Sequence, residues 1–318
     1  MKNLKTINSF RMIFITGLLL ASLSTFAQVD SVKVQEDSVN VEESDKAQDS
    51  GNKPVRSAFE STWIIDNQTT VVPQKGSLEF MINHRFGTIY NGVSDLYGMY
   101  GAGANIRLGL NYSLFDNVGF GIFKGTVATG IGVTKAGMVS DINLKYGFLQ
   151  QTRNGRIPIS VTYYMDFGIS TQNKVEDLPN GNASDRLSFF HQIIISRKFN
   201  DQFSLMVAPS LSHFNVVDPT MQNDFFAVAV AGRYKISEQS SILLNYDQPI
   251  TKFTDSNPQF NLSTGIEIAT SAHQFQIFIS NFPLIVPQYN NVYNQPNSQH
   301  KWYQDLYIGF NITRLWSF

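Results

Sequence analysis

The sequence predicts an all-β fold: a transmembrane antiparallel up-and-down β-barrel of about 12 strands. Three observations predict it. Apolar and polar residues alternate over runs commonly of ten residues or more, where strands of soluble proteins average about five or six. The polar face of those runs carries charges in mid-strand, which suits a barrel interior. The connections alternate short and long along the chain, as they do in bacterial outer-membrane barrels.

The first element is not part of the barrel. In "MKNLKTINSFRM" the bases Lys2, Lys5 and Arg11 precede the apolar run "IFITGLLLASLS" and the small residues Thr25 and Ala27. This order reads as a secretory signal peptide over 1–27, cut after Ala27. The apolar run is short for a bilayer-spanning helix. Removing its three bases takes the formal charge from −1 to −4. No later run of 18 apolar residues occurs, so no transmembrane helix is expected.

Residues 28–57 lack aromatics and large aliphatics and hold seven acids and four bases. Such a stretch cannot bury enough apolar area to offset its chain entropy. It reads as a disordered acidic periplasmic lead-in.

The barrel is expected over 58–318. Strands are predicted near 77–86, 105–115, 118–125, 138–150, 157–171, 185–199, 203–215, 224–236, 240–249, 258–269, 273–282 and 303–317. In "SDINLKYGF" one face is Ile142, Leu144, Tyr146 and Phe148; the other is Asp141, Asn143 and Lys145. "IPISVTYYMDFGIS" and "NPQFNLSTGIEIA" divide in the same way. The turns "FDNV", "QQTRNGR", "KFNDQF", "ISEQSS" and "TSAHQ" are short and fall on one side, the periplasmic one if the chain starts there. The stretch "GTVATGIGVTKAG" blurs the pattern between 118 and 138, so ten or fourteen strands also fit. The last strand would turn Ile308, Phe310 and Ile312 to lipid, with Trp316 and Phe318 in an aromatic girdle. A terminal aromatic strand of this kind looks like the signal read by the outer-membrane insertion machinery.

The stretches "GSLEFMINHRFG", "NIRLGLNYSLFDNVGFGI", "LSFFHQIIISRKFNDQFSLMVAPSLSH", "GRYKIS", "AHQFQIFISN" and "GFNITRLWSF" together resemble an uncharacterised family of Bacteroidota outer-membrane β-barrels, a domain of unknown function. The resemblance spans about 59–318 and implies a fold and an outer-membrane location, with no known activity. Members usually carry a Thr-Arg-Ile-Ile-Asn-Gly-like stretch before the first strand. Here "STWIIDNQTT" departs from it, with Trp63 in place of the Arg and Asp66 a second change.

Several functions are disfavoured. A formal charge of −1 gives no basic face for nucleic acid. Without cysteine there is no disulfide, thiolate site or thiol nucleophile. No histidine pair has metal-ligand spacing. His84 and His191 point outward by parity, and no outward serine stands on a neighbouring strand to complete a hydrolase site. Neither catalytic residues nor a cofactor is expected. By parity the lumen receives Glu79, Arg85, Arg107, Asp141, Lys145, Asp166, Lys198, Arg233, Lys235, Asp247, Glu267 and Asp305, six acids and six bases. Twelve strands fall between filled eight-stranded barrels and conducting 16-stranded ones, and no large plug domain is evident. The expected function is a narrow porin-like channel or binding barrel for small polar solutes, held in outer-membrane lipid. The alternative is a non-conducting structural or interaction barrel acting through the N-terminal tail or loops such as 283–302, with Tyr289, Tyr293 and Trp302.

Overall fold

The computed structural model describes residues 53–101, 103–135, 139–171, 180–255, 257–270, 272–295 and 302–318. The signal-peptide reading and most of the lead-in reading lie outside the described residues, as does His300.

Two very short strands, β1 (Trp63–Ile64) and β2 (Asn67–Gln68), pair only with each other. The wall then follows in chain order: β3 (Ser77–Thr88), β4 (Asn105–Phe120), β5 (Phe123–Thr134), β6 (Val139–Leu149), β7 (Ser160–Ser170), β8 (Leu187–Lys198), β9 (Phe203–Phe214), β10 (Asp224–Lys235), β11 (Ser240–Pro249), β12 (Asn261–Ala269), β13 (His273–Ser280) and β14 (Tyr307–Ser317). Each pairs antiparallel with its sequence neighbours, and β14 closes on β3 from Tyr307–Thr88 to Ser317–Ser77. The result is a closed barrel of 12 strands. Closure leaves no unpaired strand edge, the requirement for spanning a bilayer with strands.

The period-two pattern sets the two faces. Along β3 the inward Ser77, Glu79, Met81, Asn83 and Arg85 are buried, while the outward Leu78, Phe80, Ile82, His84 and Phe86 are partly exposed. Outward Leu108, Ile131, Ile142, Leu244, Ile266 and Ile277 are exposed, as an apolar lipid-facing band requires.

The expected turn at "FDNV" and strand at 118–125 are corrected. β4 runs through that stretch to Phe120, and the register shifts between Ser113 and Phe115 and again between Phe115 and Val118. Asn117 takes φ 57°, so an Asp-Asn pair typical of turns serves a bulge within a strand. Asp116 Oδ1 accepts from Thr126 Oγ1 at 2.7 Å across it. The chain reverses instead at Gly121 and Ile122, Phe120 pairing with Phe123. Gly121 has φ 58°, which glycine adopts freely.

The glycine-rich stretch is therefore β5, and its inward glycines make room for lumen side chains. A Cβ at Gly132 would lie 2.2 Å from Arg107 Nη2 and 2.4 Å from Asp141 Oδ2; one at Gly130 would lie 1.8 Å from Asn111 Oδ1.

The residues between 58 and 75 do not belong to the wall. They carry the β1–β2 hairpin into the lumen. No large plug domain is evident in the sequence, yet this segment and the long β13–β14 connection fill the barrel.

Candidate functional site

The hairpin is built around a tight reversal at Ile65 and Asp66, between the pairs Ile64–Asn67 and Trp63–Gln68. Ile65 sits at φ 57°, a costly region for a β-branched residue. The surroundings hold it there. Ile65 N donates to Gln276 Oε1 (3.1 Å), and its carbonyl accepts from Asn311 Nδ2 (2.7 Å). Every residue from Ser61 to Thr69 is buried.

One side of the lumen is apolar. Phe59, Ile64 and Ile65 pack with inward Tyr164, Phe190, Ile194, Met206, Ala208, Ala229, Ala231 and Leu243 from β7 to β11 and with Phe278. The hairpin's remaining contacts are polar and charged and reach β11 as well as β3 and β6. Thr62 Oγ1 donates to Glu79 Oε1 (2.7 Å). Lys145 Nζ donates to the Thr62 carbonyl (3.1 Å) and Gln68 Oε1 (3.0 Å). Asn67 Nδ2 donates to Asn245 Oδ1 (2.9 Å) and Asp247 Oδ1 (2.5 Å). Arg85 Nη2 pairs with Asp66 Oδ1. The Trp63 ring lies 5.3 Å from the Arg107 guanidinium.

A second segment closes the end of the barrel that carries the long connections. Helix α1 (Pro287–Tyr293) sends Gln288 Nε2 to Asp166 Oδ1 (2.9 Å). Asn294, just beyond the helix, donates to Asn261 Oδ1 (2.6 Å). Tyr289 and Tyr293 meet Phe214 edge-on, at 5.2 and 5.4 Å between centroids. Both tyrosines are thus engaged by the barrel mouth, Tyr289 partly buried and Tyr293 still exposed on one side.

Of the twelve residues expected in the lumen, nine are buried there: Glu79, Arg85, Arg107, Asp141, Lys145, Asp166, Arg233, Asp247 and Glu267. Arg107 and Asp141 form a two-pronged pair. Arg233 Nε donates to Glu267 Oε1 (3.0 Å), and its Nη2 approaches Glu60 Oε1 (3.5 Å). The other three correct the expectation. Lys198 and Lys235 lie at the rim, where short turns let Asp201 (3.0 Å) and Glu238 (3.1 Å) pair with them. Asp305 falls in a 3-10 turn ahead of β14, because that strand begins at Tyr307 rather than 303. At the C-terminus, Trp316 lies 5.0 Å from the Arg314 guanidinium, and Phe318 is 87% exposed.

The filling leaves little free space. A cavity of about 10 Å³ remains beside Glu79 and Lys145, room for about one water. A larger one of about 220 Å³ lies where the N-terminal segment leaves the barrel, lined by Val55, Ser57, Thr70, Gln151, Ser160 and Thr162 among others. There Val55 N donates to the Gln151 carbonyl (2.9 Å), and Arg153 N to the Lys53 carbonyl (3.1 Å).

Outward histidines have local partners. His84 stacks on Phe310 at 5.0 Å, His191 Nδ1 meets the Tyr163 hydroxyl at 2.6 Å, and His213 Nδ1 meets Asp224 Oδ1 at 2.8 Å.

The sequence profile of the membrane-bound beta barrel domain DUF5777 matches residues 59–316, and the chain belongs to that family. The match takes in the hairpin as well as the wall. No curated protein sequence matches the chain. Among solved structures, the chain is similar to the COG4313 outer membrane channel from Pseudomonas putida F1, at 10% identity and TM-score 0.48 over 77% of this chain and 97% of that one. It is also similar to the KdgM porin, at 8% identity and TM-score 0.43 over 76% and 99%. A third is OmpF of Salmonella typhi, solved with daunomycin, at 8% identity and TM-score 0.36 over 76% and 97%.

Proposed function

We propose that this membrane-bound barrel is an outer-membrane channel or binding barrel for a small polar solute, resting closed with residues 58–75 as its plug. One observation carries the reading. Between residues 58 and 75 the described backbone joins no strand of the wall: its one backbone hydrogen bond to a wall residue is the local turn in which Ser77 N donates to the Gln74 carbonyl (3.1 Å), and its other polar contacts with the wall run through side chains. The segment is joined to the wall covalently only at Gly76. It can therefore leave without breaking a rung of the barrel ladder. A barrel needed only as a scaffold could fill its lumen from its own strands, as eight-stranded barrels do. The mounting is also largely polar, and a vacated lumen would keep hydratable groups on its β3–β6 side.

In this reading the short turns and both chain ends face the periplasm. Residues 1–27 are removed as a signal peptide, and 28–57 form a tether from which the plug is pulled or released. Trp316 and Phe318 belong to the strand recognised during outer-membrane insertion. No catalytic role is assigned.

A second reading, a permanently closed structural barrel, draws on the dense filling of the lumen. A disulfide lock separates the two. Thr70 Oγ1 and Ser196 Oγ lie 2.6 Å apart, one on the plug and one on β8. Both oxygens hang directly on Cβ, so a Thr70→Cys/Ser196→Cys pair places two sulfurs within bonding reach. The chain has no other cysteine. In planar bilayers the reduced protein should show openings under applied voltage and the oxidised protein should be silent. Silence in both forms would refute the channel reading and leave the structural one.

A further inference from the structure

Four buried cations face the lumen among the described residues: Arg85, Arg107, Lys145 and Arg233. Three have an acid of the wall beside them. Arg107 is gripped by Asp141 and Arg233 by Glu267. Lys145 shares its small cavity with Glu79. Arg85 differs. Its wall partners are neutral: Asn311 Oδ1 at 3.2 Å, the His84 carbonyl at 2.9 Å and the Phe278 ring at 4.2 Å. Its one carboxylate is Asp66, at the tip of the hairpin. Asp247, another lumen acid, accepts from Asn67 and Asn261 and makes no ion pair among the described residues.

The Arg85–Asp66 pair is also half made. Arg85 Nε and Asp66 Oδ2 are both buried without a hydrogen-bond partner. A guanidinium is shaped to take a carboxylate on two parallel N–H groups. Arg107 does so with Asp141 on the same wall. Asp66, fixed in a tight turn, brings only one oxygen to bear. The guanidinium itself is well held. Gly309 has no side chain where a Cβ would lie 2.6 Å from the Phe278 ring and 2.8 Å from Arg85 Cδ. That close packing aims Arg85 into the lumen.

We infer that Arg85 is an anion site of the barrel wall, that its ligand is a small organic carboxylate, and that Asp66 stands in for that ligand while the plug is seated. The inference rests on the plug reading above and adds the solute class. A free carboxylate can turn to engage Nη2 and Nε together, which the tethered aspartate does not. A single cation in neutral surroundings matches one negative charge better than the two of a phosphate dianion. Binding and plug seating then exclude each other, so the solute favours the opened barrel by competing for one residue.

The test is chemical rescue in the full-length protein. Asp66→Ala removes the stand-in carboxylate and uncovers Arg85 for a free one. Sodium acetate should raise the unfolding midpoint of this variant, read by heat-modifiable migration, to a plateau. Acetamide, of the same shape without the charge, should not. The effect should vanish in Asp66→Ala/Arg85→Gln. Equal responses to acetate and acetamide, or a response that survives loss of Arg85, would overturn the inference. Should Asp66→Ala not assemble, Thr70→Cys in the otherwise unaltered chain gives a second readout. Acetate should speed maleimide labelling of that cysteine by displacing Asp66 and loosening the plug, while acetamide should not; no acceleration by acetate overturns the inference. Both readouts measure occupancy at Arg85 rather than current. An acetate effect in a barrel that never conducts would keep the site and remove the passage.

Discussion

Trp63→Ala tests whether the hairpin is a separately docked element. Trp63 is 2% exposed and heads the set of largest fully buried side chains. Truncating a buried aromatic to alanine costs about 3–5 kcal/mol through lost transfer energy and the cavity left behind. Contact with the Arg107 guanidinium at 5.3 Å adds up to about 2 kcal/mol when desolvated. The indole Nε1 has no hydrogen-bond partner, so its removal forfeits none. The hairpin shares no ladder rung with the wall, so this loss should fall on docking rather than on barrel closure. At about 1.4 kcal/mol per factor of ten, the undocked fraction should rise about 10²- to 10⁵-fold. The assay is maleimide labelling of Thr70→Cys with and without Trp63→Ala, beside heat-modifiable migration of both proteins. Labelling should accelerate by that factor while migration of the folded barrel stays unchanged. Unchanged labelling together with a less stable barrel would refute the reasoning, because plug and wall would then form one cooperative unit.

Two further outcomes follow from the same contacts. Lys145→Glu replaces a donor with a carboxylate facing the Thr62 carbonyl, Gln68 Oε1 and nearby Glu79; repulsion there should expel the hairpin and raise Thr70→Cys labelling, whereas Lys145→Gln, which keeps a donor, should raise it far less. If Phe318 holds the girdle place and insertion role proposed for it, Phe318→Asp should lower the yield of assembled barrel well below that of Ser317→Ala, since a girdle position tolerates charge poorly while the Ser317 hydroxyl makes one 3.2 Å contact with Ser77; equal yields would refute that role.

The wall was legible because a lipid-facing strand must alternate, and ten or more residues of alternation leave little ambiguity about which face a side chain takes. Nine lumen charges followed from parity alone, but their partners did not: Arg107 and Asp141 are 34 residues apart, on strands separated by β5. That intervening strand was misplaced for the same reason that the pair can form. Gly130 and Gly132 erase the inward half of the alternation where Asn111 and Arg107 need the space.

The plug left a weaker trace. Its strands are two residues each, too short for any period, and its reversal uses Ile65 and Asp66 instead of the Asn-Gly or Asp-Gly that marks a hairpin. A signal was nonetheless present on the opposite wall. Inward Phe190 and Ile194 on β8, Met206 and Ala208 on β9, and Ala229 and Ala231 on β10 are apolar, and so are many of their outward neighbours. A strand apolar on both faces is buried on both faces. In a barrel one of those faces is lipid, so the other must meet protein, and the segment at hand with Phe59, Ile64 and Ile65 to offer is the one just ahead of the first strand. Period two states where a side chain points; the chemistry of the face it points from states what must be waiting there.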